Sequence, residues 1–406
     1  MDVTIIGSGI ASKNAAETLL SATEYRDELT IVTRDEGFFY SRVLLPEYIA
    51  GELSREELLL AGAEDLDWGR VRLVAGSVSR IDTKGRSVRL ENEACIHYDK
   101  LIIASGASPK KLEVRNSDLA GIFYLRDLAD ADSIKEQAKG AERCAVVGGG
   151  LVSLKAACAL NALGKLVTVF VGSDLPLSLV ADRAASGIVQ RTLEARGIRF
   201  QFNTEVEEFA GDAGRVRRVL LKDGSAVEAE LVVIAKGVRP NLDFVRGTDI
   251  ETEKGILVDD CLETTAEGVY AAGDVAQSAD LLKSGRALFT LWPNAALQGR
   301  VAAGNILGRQ RRYCGGLSMN SVVFYGMPFV FLGMARERDT AGCDVHAWRS
   351  SSSDAYRKVV LRNNRLVGAI LVGNIDCAGM LYWDIRSGRV IEDPQSYIQG
   401  GMYASF

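Results

Sequence analysis

The sequence predicts an α/β protein in which two parallel sheets each open on a strand, a glycine turn and a helix, with a smaller α+β domain after them. Three observations predict this. The segment Val3–Ser12 (VTIIGSGIAS) recurs as Cys144–Ser153 (CAVVGGGLVS). Apolar runs of strand length alternate with helical stretches up to about residue 310. Beyond about residue 311 the texture changes to aromatic, β-rich segments.

The elements follow in order. Val3–Ile6 reads as a buried strand, Gly7-Ser8-Gly9 as a turn, and the next residues as a helix whose Ala15, Ala16 and Leu19 face a sheet. Ala156, Ala157 and Leu160 hold the same offsets from Gly148 as that trio holds from Gly7, so the repeat extends through the helix. Further strands are expected at Leu29–Thr33, Lys100–Ala104, Leu166–Val171, Leu231–Ala235 and Gly268–Ala272. In the last region Phe324–Met334 is apolar and aromatic, and Ser350–Ser353 is a polar break. Lys358–Leu361 and Leu366–Val372 read as two strands joined at Asn363-Asn364.

Composition bounds the function. With 406 residues, 47% hydrophobic and 25% charged, the chain is long enough for two or three ordinary globular domains. A net charge of −5 offers no polyanion-binding face, so nucleic acid is not an expected partner. None of the seven cysteines forms a CxxC redox pair, a zinc knuckle or an iron–sulfur ligand set, and scattered thiols suit a reducing, cytoplasmic compartment. The strand at Val3–Ile6 leaves no room for a signal or transit peptide, and no apolar run approaches the roughly 18–20 residues of a membrane span. Only His97 and His346 are present, which disfavours mechanisms built on histidine-ligated metals. No metal site is expected.

The repeated motif has a physical reading. The first glycine of each copy permits a tight turn, and the second lets a pyrophosphate approach the backbone. The phosphates then rest on free N–H groups at the helix N-terminus. Ser12 and Ser153 stand where a small residue is needed for helix–sheet packing.

Three segments accompany the turns: His97–Ala107 (HYDKLIIASGA), Glu230–Asn241 (ELVVIAKGVRPN), and Thr264-Thr265 followed by Gly268–Val275 (GVYAAGDV). Together the five resemble the two-dinucleotide-binding-domain flavoproteins of the pyridine nucleotide–disulfide oxidoreductase superfamily over about residues 1–310. Tyr40–Pro46 (YSRVLLP) and Lys236–Asn241 (KGVRPN) are similar to the NADH-dependent rubredoxin, ferredoxin and nitrite reductase flavoproteins. They also resemble the flavin subunits of multi-subunit 2-oxoacid and aldehyde oxidoreductases.

The resemblance implies a glutathione-reductase-like pair of Rossmann-like domains. Residues 1–110 with 237–310 would bind FAD, residues 111–236 NAD(P), and residues 311–406 would form a small α+β interface domain. Gly7, Gly9 and Ser12 would hold the FAD pyrophosphate, with Ala104, Ser105 and Gly106 lining the same site. Asp274 would bond the ribityl hydroxyls, fixed by the Gly273 turn. Asp35, with Glu36 as a substitute, would take the adenosine ribose, and Arg42 would lie along the flavin or pyrophosphate. The helix start at Leu291–Gly299, with Asn294 and Ala295, would aim its dipole at the flavin pyrimidine. In the second copy Gly148, Gly150 and Ser153 would hold the pyrophosphate of NAD(H), with Lys236 and Gly237 near the ribose.

Three departures from the family pattern sharpen the expectation. Some relatives carry a redox cysteine two residues before the Leu-Pro; here that position is Val43, which argues against disulfide or peroxide reduction. The usual relatives pair a Lys after the Arg-x-x-Leu segment with a Glu in the second glycine helix. The matching positions here are Glu47 and Lys155, an exchanged ion pair expected beside the reactive flavin edge. Finally, the second strand of the nicotinamide domain ends in Val171 where an acid is usual, with Asp174 the nearest candidate for the ribose. The reaction expected is electron exchange between NAD(P)H and an iron–sulfur protein or subunit, the chain being an oligomer or a subunit of a complex. The alternative is a flavin-carrying relay subunit with a vestigial nicotinamide site. Phe324, Tyr325, Phe329, Phe331, Trp348, Tyr382, Trp383 and Tyr403 are read mainly as core of the last domain, with some available for docking.

Overall fold

The computed structural model describes residues 1–35, 39–63 and 65–398; Glu36 and Tyr403 therefore lie outside the described residues. The chain divides into two compact units. The first comprises Met1–Val43, Ser54–Ser108 and Val238–Leu317, and the second Leu44–Leu53, Pro109–Gly237 and Ser318–Phe406.

The first unit is built on a five-stranded parallel sheet in the order Val269–Ala271, Lys100–Ile103, Val3–Ile6, Leu29–Thr33, Val71–Ala75. Val3, Ile5, Ile31, Leu101, Ile102 and Ile103 are almost wholly buried, as strands covered on both faces require. From Val3–Ile6 the chain runs outward to one side and later returns to the other, so the switch point falls at the end of the first strand, where Gly7 lies.

The second unit repeats the plan: Arg199–Phe202, Leu166–Val171, Arg143–Val147, Leu231–Ile234 and Ile122–Tyr124, all parallel, with Gly148 at its own switch point. Each unit also inserts a three-stranded antiparallel sheet before the strand that returns beside its glycine turn. These are Val78–Asp82, Ser87–Leu90 and Cys95–His97 in the first, and Val206–Asp212, Arg215–Leu221 and Ala226–Glu228 in the second. The duplication visible in ten residues thus extends through the topology. Three strands end one residue earlier than expected, at Ile103, Ile234 and Ala271. Ala104 and Ala235 still donate their N–H to Ile6 and Val147, both at 2.9 Å, but turn their carbonyls toward the glycines.

Ser318–Phe406 contributes an antiparallel sheet in the order Met319–Phe324, Met327–Gly333, Arg365–Val372, Tyr356–Arg362, Asp344–Arg349, followed by the helix Ala378–Ser387. The Asn363-Asn364 turn is present with φ of 52° and 56°, the left-handed pair that a two-residue hairpin needs. Phe324, Phe329 and Phe331 are buried in it, whereas Trp348 and Trp383 are exposed. Among the described residues no helix is long and apolar enough to cross a membrane.

Candidate functional site

The first glycine turn is sterically closed below and open above. Gly7 has φ of 113° and donates to the Val32 carbonyl at 2.7 Å. A Cβ there would lie 2.2 Å from the Ala104 oxygen, which no other residue type tolerates. A Cβ at Gly9 would meet nothing within 4 Å. Gly9 is also the N-cap of the helix Ile10–Leu20 and brings no side-chain cap, so that helix presents uncapped N–H groups to open space. Ser12, wholly buried two residues into the helix, has no hydrogen-bond partner for its Oγ. An open approach, uncapped donors and an orphaned hydroxyl fit a bound phosphate group.

The turn is wired to the end of the second strand. Ser8 Oγ lies 2.9 Å from Thr33 Oγ1 and donates to Asp35 Oδ2 at 3.3 Å. Arg42, stacked 5.2 Å over the Tyr40 ring, pairs with the same carboxylate. The fold thus brings Asp35 and Arg42 together beside the turn.

Asp274 sits half-buried in the single turn Gly273–Val275, whose Gly273 has φ of 81°. A Cβ on Gly273 would stand 3.3 Å from that of Ala11 and 3.7 Å from that of Ala295, so the turn abuts the first helix and the start of Trp292–Ile306. Gln298 holds it, accepting from Gly273 N at 2.8 Å and donating to Ser278 Oγ at 3.1 Å. Gly299 lets the two helices touch, since its Cβ would be 2.1 Å from the Ala11 carbonyl. Asn294 has a buried side chain that donates to the Leu317 carbonyl at 2.9 Å and accepts from Leu317 N at 3.3 Å, so it clamps the returning chain to the helix start. Asn241 is a residue the sequence reading did not single out. It accepts from Ser108 at 2.7 Å, donates to the Ser105 carbonyl at 2.9 Å and through its N–H to Gly106 at 3.1 Å, fixing the Ser105-Gly106 loop.

The second turn has the same closed floor and open roof. Gly148 has φ of 133°, and its Cβ would lie 2.5 Å from the Ala235 oxygen; Gly150 has nothing within 4 Å and caps Leu151–Ala162 without a side-chain bond. Ser153 differs from Ser12. It donates to the Ala235 carbonyl at 2.9 Å, so its hydroxyl ties the helix to the end of the returning strand. Lys236 leads into Gly237, which has φ of 90° and accepts from Lys110 N at 3.0 Å. Asp174 is exposed and paired with Arg183 at 2.6 Å.

Glu47 and Lys155 meet within the second unit, at 2.6 Å, each about four-fifths buried. The six-residue helix Leu45–Ala50 presents Glu47, and Tyr48 beside it donates to Asp132 at 2.6 Å. The second Glu47 oxygen is buried with no hydrogen-bond partner. Cys158, one turn beyond Lys155, is pushed up to about 11 by burial, and burial pushes Cys144 up to about 12, so both stay thiols at neutral pH. All seven cysteines are unpaired.

Comparisons with known proteins agree with this geometry. Residues 1–299 match the model of the pyridine nucleotide-disulphide oxidoreductases, and residues 319–388 that of the rubredoxin NAD+ reductase C-terminal domain. The chain is 29% identical over 394 residues to a nitrite reductase [NAD(P)H] of Bacillus subtilis, covering 96% of this chain but only 48% of that protein. It thus spans about half the length of that relative. It is 27% identical to an NADH-rubredoxin oxidoreductase of Clostridium acetobutylicum, covering 97% of each chain. A ferredoxin reductase from Rhodopseudomonas palustris shares the fold, with a TM-score of 0.84 at 24% identity over 92% of this chain and 91% of that one. Two uncapped glycine turns in duplicated parallel sheets, with the family match running through both, establish that this chain belongs to the pyridine nucleotide-disulphide oxidoreductase family, whose members are FAD-containing, NAD(H)-dependent reductases.

Proposed function

We propose that this chain is an FAD-dependent NAD(P)H oxidoreductase that passes electrons to an iron–sulfur protein or subunit. The observation that carries the reading is the pair of matched phosphate-accepting turns in a chain with no redox dithiol. Two dinucleotides have a seat, and electrons must leave to a partner outside the chain. Bound FAD supplies the chemistry of taking a hydride and returning electrons singly.

The residues of the chain bind and orient. Gly7, Gly9 and the Ser12 hydroxyl would receive the FAD pyrophosphate, and Asp35 the adenosine ribose, with Arg42 neutralising the carboxylate. Asp274 would bond the ribityl chain, while the N-terminus of Trp292–Ile306, reached through Ala295, would favour negative charge on the isoalloxazine. Ala104, Ser105 and Gly106 would form the wall that Asn241 braces. Gly148 and Gly150 would seat the pyrophosphate of NAD(H), and the Lys236-Gly237 turn its nicotinamide ribose.

We assign Lys155 and Glu47 to the hydride-transfer site. The two charges are exchanged relative to the usual relatives. Hydride transfer asks for stacking and exclusion of water rather than a proton-transferring histidine, in keeping with a chain that has two. The name of the Clostridium relative supports a rubredoxin-like acceptor, and the unpaired thiols support a cytoplasmic setting. The test is anaerobic mixing of flavin-loaded protein with NADH. Rapid bleaching of the flavin band is expected; an unbleached band at millimolar NADH would leave only the relay-subunit alternative.

A further inference from the structure

The loop between Val171 and the helix Arg183–Glu194 is pinned at its middle and at its end. At its middle, Leu177 donates its N–H to the carbonyl of Gly149, inside the second glycine turn, at 2.8 Å. Leu177 is buried and holds φ of 56°, an unfavourable conformation for a γ-branched residue that the surrounding structure must enforce. At its end stands Asp182, the N-cap of Arg183–Glu194, whose Oδ1 accepts from Ala185 N at 3.0 Å. Asp174, the nearest acid to the ribose position, precedes both pins in the loop and is paired with Arg183, the residue that follows Asp182.

The second pin comes from the C-terminal domain. Asp182 Oδ2 accepts from Tyr356 OH at 2.8 Å and from Lys358 Nζ at 3.0 Å, and Lys358 also donates to the Ala335 carbonyl at 2.9 Å. The Asp182 and Lys358 side chains are each only 5% exposed. Burial and the neighbouring carboxylate push the Tyr356 phenol far above its usual range, so it remains a donor. Around this buried centre Glu337 accepts from Arg183 N at 3.4 Å, and Arg336 donates to the Leu179 carbonyl at 3.1 Å. Desolvating a carboxylate and an ammonium is expensive, and apolar residues of similar volume would hold two domains together at least as well. What a directional, fully bonded charge cluster adds is a defined position for Asp182.

We propose that the C-terminal domain takes part in nucleotide binding: Lys358 and Tyr356, by fixing Asp182, hold the Gly172–Asp182 loop in the shape that receives the adenosine ribose of NAD(P)H. The inference rests on the NAD(P)H reading of the second glycine turn and names Lys358 and Tyr356 as positioning residues for it. They touch neither cofactor nor substrate and act through the loop.

The test measures NAD⁺ binding by calorimetry, KM and kcat for NADH-driven flavin reduction, and amide exchange of residues 172–182. The proteins compared are wild type, Lys358→Met, Tyr356→Phe and, as a control at the same helix, Arg191→Ala, which removes only the exposed pair with Asp354. Lys358→Met is expected to weaken NAD⁺ binding and raise KM about tenfold, a loss of the size expected when one partner of a hydrogen-bonded charge goes. Tyr356→Phe is expected to do so about threefold, as loss of a single hydrogen bond would. Both should speed exchange in the loop while kcat and flavin content hold. Unchanged binding and exchange in the folded variants, or the same losses in Arg191→Ala, would overturn the proposal. If Lys358→Met fails to fold, Tyr356→Phe decides. Wild type that neither binds NAD⁺ nor is reduced by NADH retires the functional reading itself, and the inference with it. Wild type that does both, beside unaltered variants, retires the inference alone.

Discussion

The two glycine turns of this chain share a backbone and differ in what surrounds it. Gly7 and Gly148 are both held at positive φ against an alanine carbonyl, and Gly9 and Gly150 both cap a helix under open space. Between those glycines the first turn has Ser8, bonded toward Thr33 and Asp35, whereas the second has Gly149, packed on Val171 with no room for a Cβ. One turn into the helix the first copy places Asn14, which accepts from Arg300, and the second places Lys155, which pairs with Glu47. The shared part is what any pyrophosphate demands. On the function proposed above, the parts that differ would distinguish a nucleotide held as a prosthetic group from one that must come and go.

The largest expected effect breaks the shared part. Gly7→Ala forces a Cβ against the Ala104 oxygen at a φ that alone costs about 1–3 kcal/mol, and the protein should purify colourless or insoluble. Gly150→Ala meets no protein atom, so the flavin-to-protein absorbance ratio should be that of wild type. The new methyl would stand where a phosphate approaches, raising KM for NADH about tenfold or more. Loss of flavin from Gly150→Ala would mean the two turns have been assigned the wrong way round.

The charge pair sharpens the difference. Lys155→Glu sets two carboxylates together in a site about four-fifths buried. Flavin reduction by NADH should then slow by roughly 10–100-fold, the worth of about 1.4–2.7 kcal/mol. Glu47→Lys alone should do the same, and the double exchange should recover most of the rate. A double-mutant cycle without coupling would reduce the pair to two independent surface charges.

The smallest effect separates the two serines. Ser153→Ala loses a bond to Ala235 and should lower the stability of the apoprotein by about 1 kcal/mol. Ser12→Ala loses no bond within the protein and should leave the thermal midpoint of the apoprotein nearly unchanged while weakening FAD retention. Equal effects of the two on the apoprotein would erase the distinction drawn between them.

Much of this was legible in residue order alone. The glycine positions, the small residues of the two helices and the strand runs are local requirements: a φ that only glycine adopts freely, a contact that admits no Cβ, an apolar run of strand length. Such constraints select residue types wherever they act. Asp35 was legible because it follows a strand end by two residues, and the Glu47–Lys155 pairing because both lie in recognisable segments. The return of Leu44–Leu53 into the second unit was not legible, nor was Asn241 bracing the Ser105 loop, nor Asn294 clamping Leu317.

Sequence by itself therefore determined that two open glycine turns exist and which glycines form them, because steric exclusion is settled within a few residues of the glycine. Only the tertiary structure decided that Lys358 meets Asp182, 176 residues earlier, or that Asp174 faces Arg183. Charged side chains carry no address. Among 48 basic and 53 acidic residues, a partner is chosen by where the sheets carry each one, and by which pairs the fold removes from water.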